Sequence, residues 1–385
     1  MRAQPTIDAV LKSAVDRDDV AGVVAMAATR NGPVYEGAFG RRALPDGAAM
    51  TADTVFWIAS MTKAITCTAA MQLVEQGKLQ LDTPIADTLP ELKNSQVLQG
   101  FDAAGQPRLR PARRPITLRH LMTHTAGFGY DMWSSDLIAY QKLNDIPGII
   151  TCRNAALTTP LLFDPGDQWF YGINIDWIGK AVEIASGQKL DAYFRDHIFA
   201  PLGMKDATFK LTPGHRARLA GMHTRKADGT LAPMEFEVPQ DPEFHMGGGG
   251  LYATAADYLA FTRIFLHGGG MVLKPESVRA MSENQIGALN VVQLKTAMPP
   301  YTNDAEFYPG MVKKWSLGFM INTEPVPGAR SAGSLAWAGL GNTYFWIDQA
   351  KGVTGVILTQ LIPFADAKVL DLYGKFEVAT YAAAQ

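Results

Sequence analysis

The chain has 385 residues, of which 47% are hydrophobic and 19% charged, so it carries ample apolar material for a core and no disorder signature. Its 35 basic and 37 acidic residues leave a net charge of −2, which removes the electrostatic footprint of a nucleic-acid binder. At about 150 residues per domain the length suits two to three domains, or one large unit with an inserted lobe.

The longest apolar run, Val20 to Ala28, is broken by Gly22 and is too short to span a bilayer. Asp8, Asp16, Asp18 and Asp19 interrupt the start of the chain, where an export signal needs an unbroken apolar stretch. The expected location is therefore cytoplasmic, with no membrane partner. Cys67 and Cys152 are the only cysteines, which excludes a disulfide framework and leaves room for a single bridge.

In chain order, Ile7, Val10, Leu11, Ala14 and Val15 recur at helical spacing and predict a helix over 6–17. Two apolar strands around Asn31-Gly32 predict a hairpin. A short extended stretch, TVFWIAS, runs into a helix over 61–79 with Ile65, Ala69, Leu73 and Val74 inward and Gly77 near its C-terminal cap. From 82 to 240 the pattern is helical with Pro/Gly-broken loops and few alternating segments. Thr254 with Asp257 predicts a capping box that opens a helix. Strands then return as WSLGFMI, GSLAWAG, NTYFWID and GVTGVILTQL, before a terminal helix near 365–383. Strands at both ends with helices between them predict an α/β (α+β) fold: one antiparallel sheet built from both termini, flanked by helices, with a helical lobe inserted. The expected division is a single unit over 6–380. Its sheet part spans roughly 1–81 plus 241–385, and its helical part roughly 82–240.

None of the eleven serines lies in a Gly-x-Ser-x-Gly elbow. The other serine pattern, Ser-x-x-Lys, is weak alone: eleven serines and seventeen lysines give about half a match by chance. Two occur. Ser186 ends a helix before Gly187, so Lys189 falls beyond it. Ser60 instead sits where an extended run meets a new helix, so Lys63, three residues on, faces the same side. The positive end of the helix and burial beside Phe56, Trp57 and Ile58 would both push Lys63 toward the neutral amine of a general base. Spacing equally allows Ser60 to be a simple cap with Lys63 in solvent.

The stretch FWIASMTKAITCTAAMQLVEQGKLQLDTPIADTLPEL resembles the nucleophile helix of the serine β-lactamase and penicillin-binding-protein superfamily. Within it the chain is most similar to the family VIII carboxylesterases, relatives of class C β-lactamases. ITLRHLMTHTAGFGY, DPGDQWFYG, GGGGLYATAADY and AWAGLGNTYFWID follow in the family's order, so the resemblance runs from about residue 6 to 380. It implies a β-lactamase-like fold and a serine hydrolase in which Ser60 is acylated and Lys63 and Tyr171 move its proton. It also implies that Trp337-Ala338-Gly339 replaces the Lys-Thr-Gly of β-lactamases. An indole in place of an ammonium should favour neutral acyl groups over anionic β-lactams. Backbone N–H groups of Ser60 and Leu340 would hold the oxyanion. The family's Tyr-x-Asn reads Tyr171-Gly172-Ile173-Asn174 here, with the asparagine one place late; Asn174 is then expected to cap the helix that follows. Apart from the resemblance, Tyr171 and Trp337 read as packing aromatics.

YGINIDWIGK and VLQGFDAAGQPRLR also resemble the fungal acyltransferases that attach the side chain in statin biosynthesis, which pass the acyl group to an alcohol instead of water. The expected function is thus a carboxylesterase acting on short-chain esters. Acyl transfer to an alcohol, or a β-lactamase or D-alanyl peptidase, is the alternative. No cofactor and no metal are expected. The partner is a small-molecule ester, and the oligomeric state is left open. His120 and His124 have the spacing of a zinc helix but lack its glutamate, so they read as structural. Glycines 247–250 read as backbone passing close to the pocket, and Cys67 as core.

Overall fold

The computed structural model describes residues 6–384. The Asn31-Gly32 turn joins β1 (Gly22–Thr29) to β2 (Gly32–Gly40), and the C-terminal part supplies five more strands. These are β3 (Lys313–Trp315), β4 (Met320–Asn322), β5 (Leu335–Gly339), β6 (Thr343–Asp348) and β7 (Val353–Leu358). The seven strands lie in the order β2-β1-β7-β6-β5-β4-β3, and every pairing is antiparallel. Val24 opposite Leu358 joins a strand from the N-terminal part to one from the C-terminal part inside the sheet. Residues 82–240 contribute no strand to it.

β5, β6 and β7 are buried at every position, and neighbouring side chains on a strand point to opposite faces, so both faces are covered. The helices Ile7–Asp16 and Ala367–Ala383 pack on each other and on β2 and β7, and helix Ala255–Arg263 packs on β1, β6 and β7. Thr6 caps the first of these helices, Asp366 the second, and Thr254 with Asp257 forms the capping box on the third. The result is the mixed α/β arrangement, with an antiparallel sheet and flanking helices, that the strand pattern predicts.

Three local readings change. WSLGFMI is not one strand: Trp315 pairs with Met320 across a tight turn at 316–319. Gly318 sits there at φ 116°, and a Cβ on it would come within 2.9 Å of Cys67 Cβ. Residues 82–240 also hold two hairpins, Gln96–Phe101 with Pro107–Pro111 and Met222–Arg225 with Leu231–Met234. Their strands are largely half-exposed, and two of them carry arginines, so they lack the apolar alternation of core strands. Finally, helix Thr62–Glu75 is not amphipathic. Every residue from Thr62 to Leu73 is buried, and Val74, expected inward, is only half-buried. It packs on helix Asn174–Ser186 and is buried on every side over those residues, so its polar residues need partners inside the protein.

Candidate active site

The turn that carries Ser60 is fixed from several directions. Phe56–Trp57 pairs with Tyr252–Ala253, and the Gln360 amide brackets Trp57 by accepting from its N–H at 3.2 Å and donating to its carbonyl at 3.0 Å. The Trp57 indole donates to Gly249 O at 2.7 Å, and the Tyr258 hydroxyl donates to Met61 O at 2.8 Å. Thr62 Oγ1 donates to Ala59 O and accepts from Leu251 N. Between these clamps Ala59 takes φ 45°, a left-handed conformation costly for a side chain with a Cβ. The surrounding bonds hold that strain. They present Ser60, on a single 3₁₀ turn at the mouth of the helix, to a cavity.

Lys63 is fully buried, and its Nζ donates to Ser60 Oγ at 3.1 Å, Tyr130 Oη at 2.9 Å and Gly248 O at 2.6 Å. Burial pushes the ammonium down to about 7, opposed by the negative field of Asp176. Both causes act on a group that spacing alone could have left in solvent. Asp176 is itself fully buried on helix Asn174–Ser186, and desolvation holds its carboxyl above the usual range. Its Oδ1 accepts from Gly248 N at 2.8 Å, so one glycine links the carboxylate and the lysine through its two backbone groups. Gly248 has no alternative: a Cβ there would lie 2.6 Å from Asp176 Oδ2.

Tyr171 stands across from the lysine, whose Nζ is 4.7 Å from its ring centre. Burial raises the phenol, while hydrogen bonds from Ser60 and from Trp337 pull the other way. Trp337 Nε1 donates to Tyr171 Oη at 2.9 Å, so the indole orients the phenol as well as forming an apolar wall. Gly339 is required because β5 crosses the Ser60 turn so closely that a Cβ would collide with Ile58 O. Leu340 follows at the end of the strand and lines the same cavity as Ser60.

The sequence motifs assign no role to Tyr130 or Asp176. Tyr130 closes the quoted stretch ITLRHLMTHTAGFGY, and Asp176 lies two residues beyond Asn174 in the quoted stretch YGINIDWIGK. Asn174 does not cap that helix. It is the helix's first residue, fully buried, with Nδ2 donating to His124 Nδ1 at 3.0 Å. His124 in turn packs 4.7 Å from Tyr171 and 5.2 Å from Trp315, and burial keeps its imidazole neutral. His120 accepts from Thr117 N at 3.2 Å in a capping box. Both histidines are structural, and they act on different neighbours. Ser186 ends its helix at Gly187, φ 73°, away from any such cluster. Cys67 and Cys152 are free and buried.

Ser60, Tyr130, Tyr171 and Trp337 open onto a cavity of about 480 Å³. Its walls are mostly apolar, with five methionines, Met132, Met222, Met234, Met246 and Met298, beside Trp133, Phe236 and Phe364. A cavity of this size and lining suits an acyl chain or a hydrocarbon-rich ligand.

The sequence profile of the β-lactamase family matches residues 7–379. The chain belongs to that family. Among its relatives, the monacolin J acid methylbutanoyltransferase of Aspergillus terreus is 34% identical, over 99% of this chain and 96% of the relative. A lovastatin esterase of Penicillium rubens is 31% identical, over 96% of this chain and 98% of the relative. The solved structure of a mutant of simvastatin synthase from Aspergillus terreus superposes with a TM-score of 0.87 at 32% identity, covering 98% of this chain and 96% of that one. Family membership and fold are thus established over nearly the whole chain, and these relatives are enzymes. Among the described residues no helix is long and apolar enough to cross a membrane.

Proposed function

We propose that the protein is a serine acyltransferase that passes an acyl group from an activated ester, through Ser60, to an alcohol. The observation that carries this is the 3.1 Å contact between Ser60 Oγ and a buried lysine at the edge of an apolar cavity. Full-length similarity to a methylbutanoyltransferase supports transfer over the hydrolysis that the sequence motifs favour.

Lys63 is the better base. Burial raises both phenols, which stay protonated near neutral pH, and lowers the lysine, so its neutral amine is accessible. Ser60 Oγ attacks the acyl carbonyl while its proton passes to Lys63, directly or through the Tyr171 hydroxyl. The N–H groups of Ser60 and Leu340 hold the oxyanion, a contribution of around 3 kcal/mol per donor. Lys63 returns the proton to the leaving oxygen. The acceptor alcohol then enters, gives its proton to Lys63 and attacks the acyl carbonyl, and Ser60 departs with that proton.

Hydrolysis is the second reading, favoured by the esterase relative: water replaces the alcohol in the same second step. Turnover of p-nitrophenyl butyrate in the presence of 1-hexanol separates the two. Transfer yields hexyl butyrate, hydrolysis yields only butyrate, and Ser60→Ala should abolish both.

A further inference from the structure

The cavity wall carries one charged residue that the acylation chemistry does not use. Among the described residues that line the cavity, Asp131 is the sole carboxylate, and there is no lysine, arginine or histidine. Lys63 is not part of the cavity wall: it is fully buried behind Ser60 and Tyr130, and its Nζ donates to Ser60, Tyr130 and Gly248.

Asp131 follows Tyr130 directly, so its carboxyl lies one residue from a phenol bonded to Lys63. It is half-buried in an apolar stretch of wall with Met132, Trp133, Ile149 and Ile150. Oδ1 accepts from Met132 N at 2.8 Å. Oδ2 faces Gly148, where a Cβ would stand 3.4 Å away. Gly148 has φ −64° and ψ 153°, which any residue adopts, so the glycine is not needed for its backbone. Its effect is to leave the wall open beside Oδ2. Burial raises the Asp131 carboxyl, and no basic group of the described residues forms an ion pair with it. A carboxylate kept in an apolar wall without a cation is a cost to the fold that a ligand can offset.

Resting on the acyl-transfer reading above, we propose that Asp131 is a specificity-determining residue that selects neutral and cationic acyl acceptors over carboxylate-bearing ones. A hydroxyl or ammonium on the acceptor donates to Oδ2. An acceptor carboxylate meets a like charge, with no lysine, arginine or histidine among the described residues of the wall to compensate.

Three alcohols of matched length test this with p-nitrophenyl butyrate as donor: 6-amino-1-hexanol, 1-hexanol and 6-hydroxyhexanoate. The wild type should acylate the first two at least about tenfold more efficiently, in kcat/KM, than the carboxylate, and Asp131→Asn should erase most of that gap. Asparagine keeps the acceptor for Met132 N, and wild-type selectivity is informative by itself. Binding of the same alcohols to Ser60→Ala, read by tryptophan fluorescence from Trp57, Trp133 and Trp337, gives the order without turnover. Loss of ester formation with that binding order intact would overturn the acyl-transfer reading and leave the charge selection standing. Equal use and equal binding of all three by the wild type, or a preference unchanged in Asp131→Asn, would overturn the proposal.

Discussion

Two of the buried clusters of charge among the described residues are built on opposite principles. Under the C-terminal helix, Arg330 and Glu377 are 0% and 2% exposed and meet directly, with Nε to Oε1 and Nη2 to Oε2 both at 2.7 Å. Tyr308, Trp346 and Tyr373 enclose the guanidinium, and Glu377 holds it firmly charged. Beside Ser60, Lys63 and Asp176 are equally buried but are joined through the backbone of Gly248, and Asp176 Oδ2 has no hydrogen-bond partner among the described residues. A direct bidentate pair locks both charges and serves the fold. A pair held apart leaves each group shifted toward neutrality and free to exchange a proton, as the proposed acyl transfer requires.

The largest effect expected from this contrast is at the lysine. Lys63→Met fills the same volume without the amine, and kcat should fall about 10³-fold while the melting temperature holds or rises, as stopped assays and thermal unfolding will show. Glu377→Ala should do the reverse. It strands a buried guanidinium and should cost about 3–5 kcal/mol of stability by urea unfolding, with activity per folded molecule kept.

Asp176→Asn probes the link itself. The carboxylate raises the affinity of Lys63 for its proton, so neutralising it lowers the lysine pKa. The acidic limb of kcat/KM against pH should therefore move down by about one unit. A limb that stays in place would mean that the two groups are not coupled. The smallest effect belongs to Trp337→Phe, which keeps an aromatic wall and removes the donor to Tyr171. It should cost about five- to tenfold in kcat with little change in KM.

The contrast also marks what the sequence makes legible. The hairpin at Asn31-Gly32, the capping box at Thr254 and Asp257, and the Ser60–Lys63 spacing are local signals, each complete within a few residues. Trp337 and Tyr171 stand out through motifs shared with relatives, although only the fold shows that they bond to each other. Asp176 and Tyr130 lie inside shared stretches, YGINIDWIGK and ITLRHLMTHTAGFGY, but nothing in those stretches assigns either a role. Their role arises because helix Thr62–Glu75 is enclosed on all sides, which brings residues 113 and 67 positions from the lysine into its field. The hairpins at 96–111 and 222–234 escape notice for a plainer reason: half-exposed strands bury too little to impose an apolar alternation.

The central claim is that an acyl group rests on Ser60 and leaves on an alcohol. Rapid-quench mass spectrometry during turnover of p-nitrophenyl butyrate, followed by a 1-hexanol chase, observes both halves. The account predicts a butyryl adduct on the peptide that contains Ser60, converted to hexyl butyrate when the alcohol is added. Turnover without an adduct, or an adduct on another residue, would contradict it.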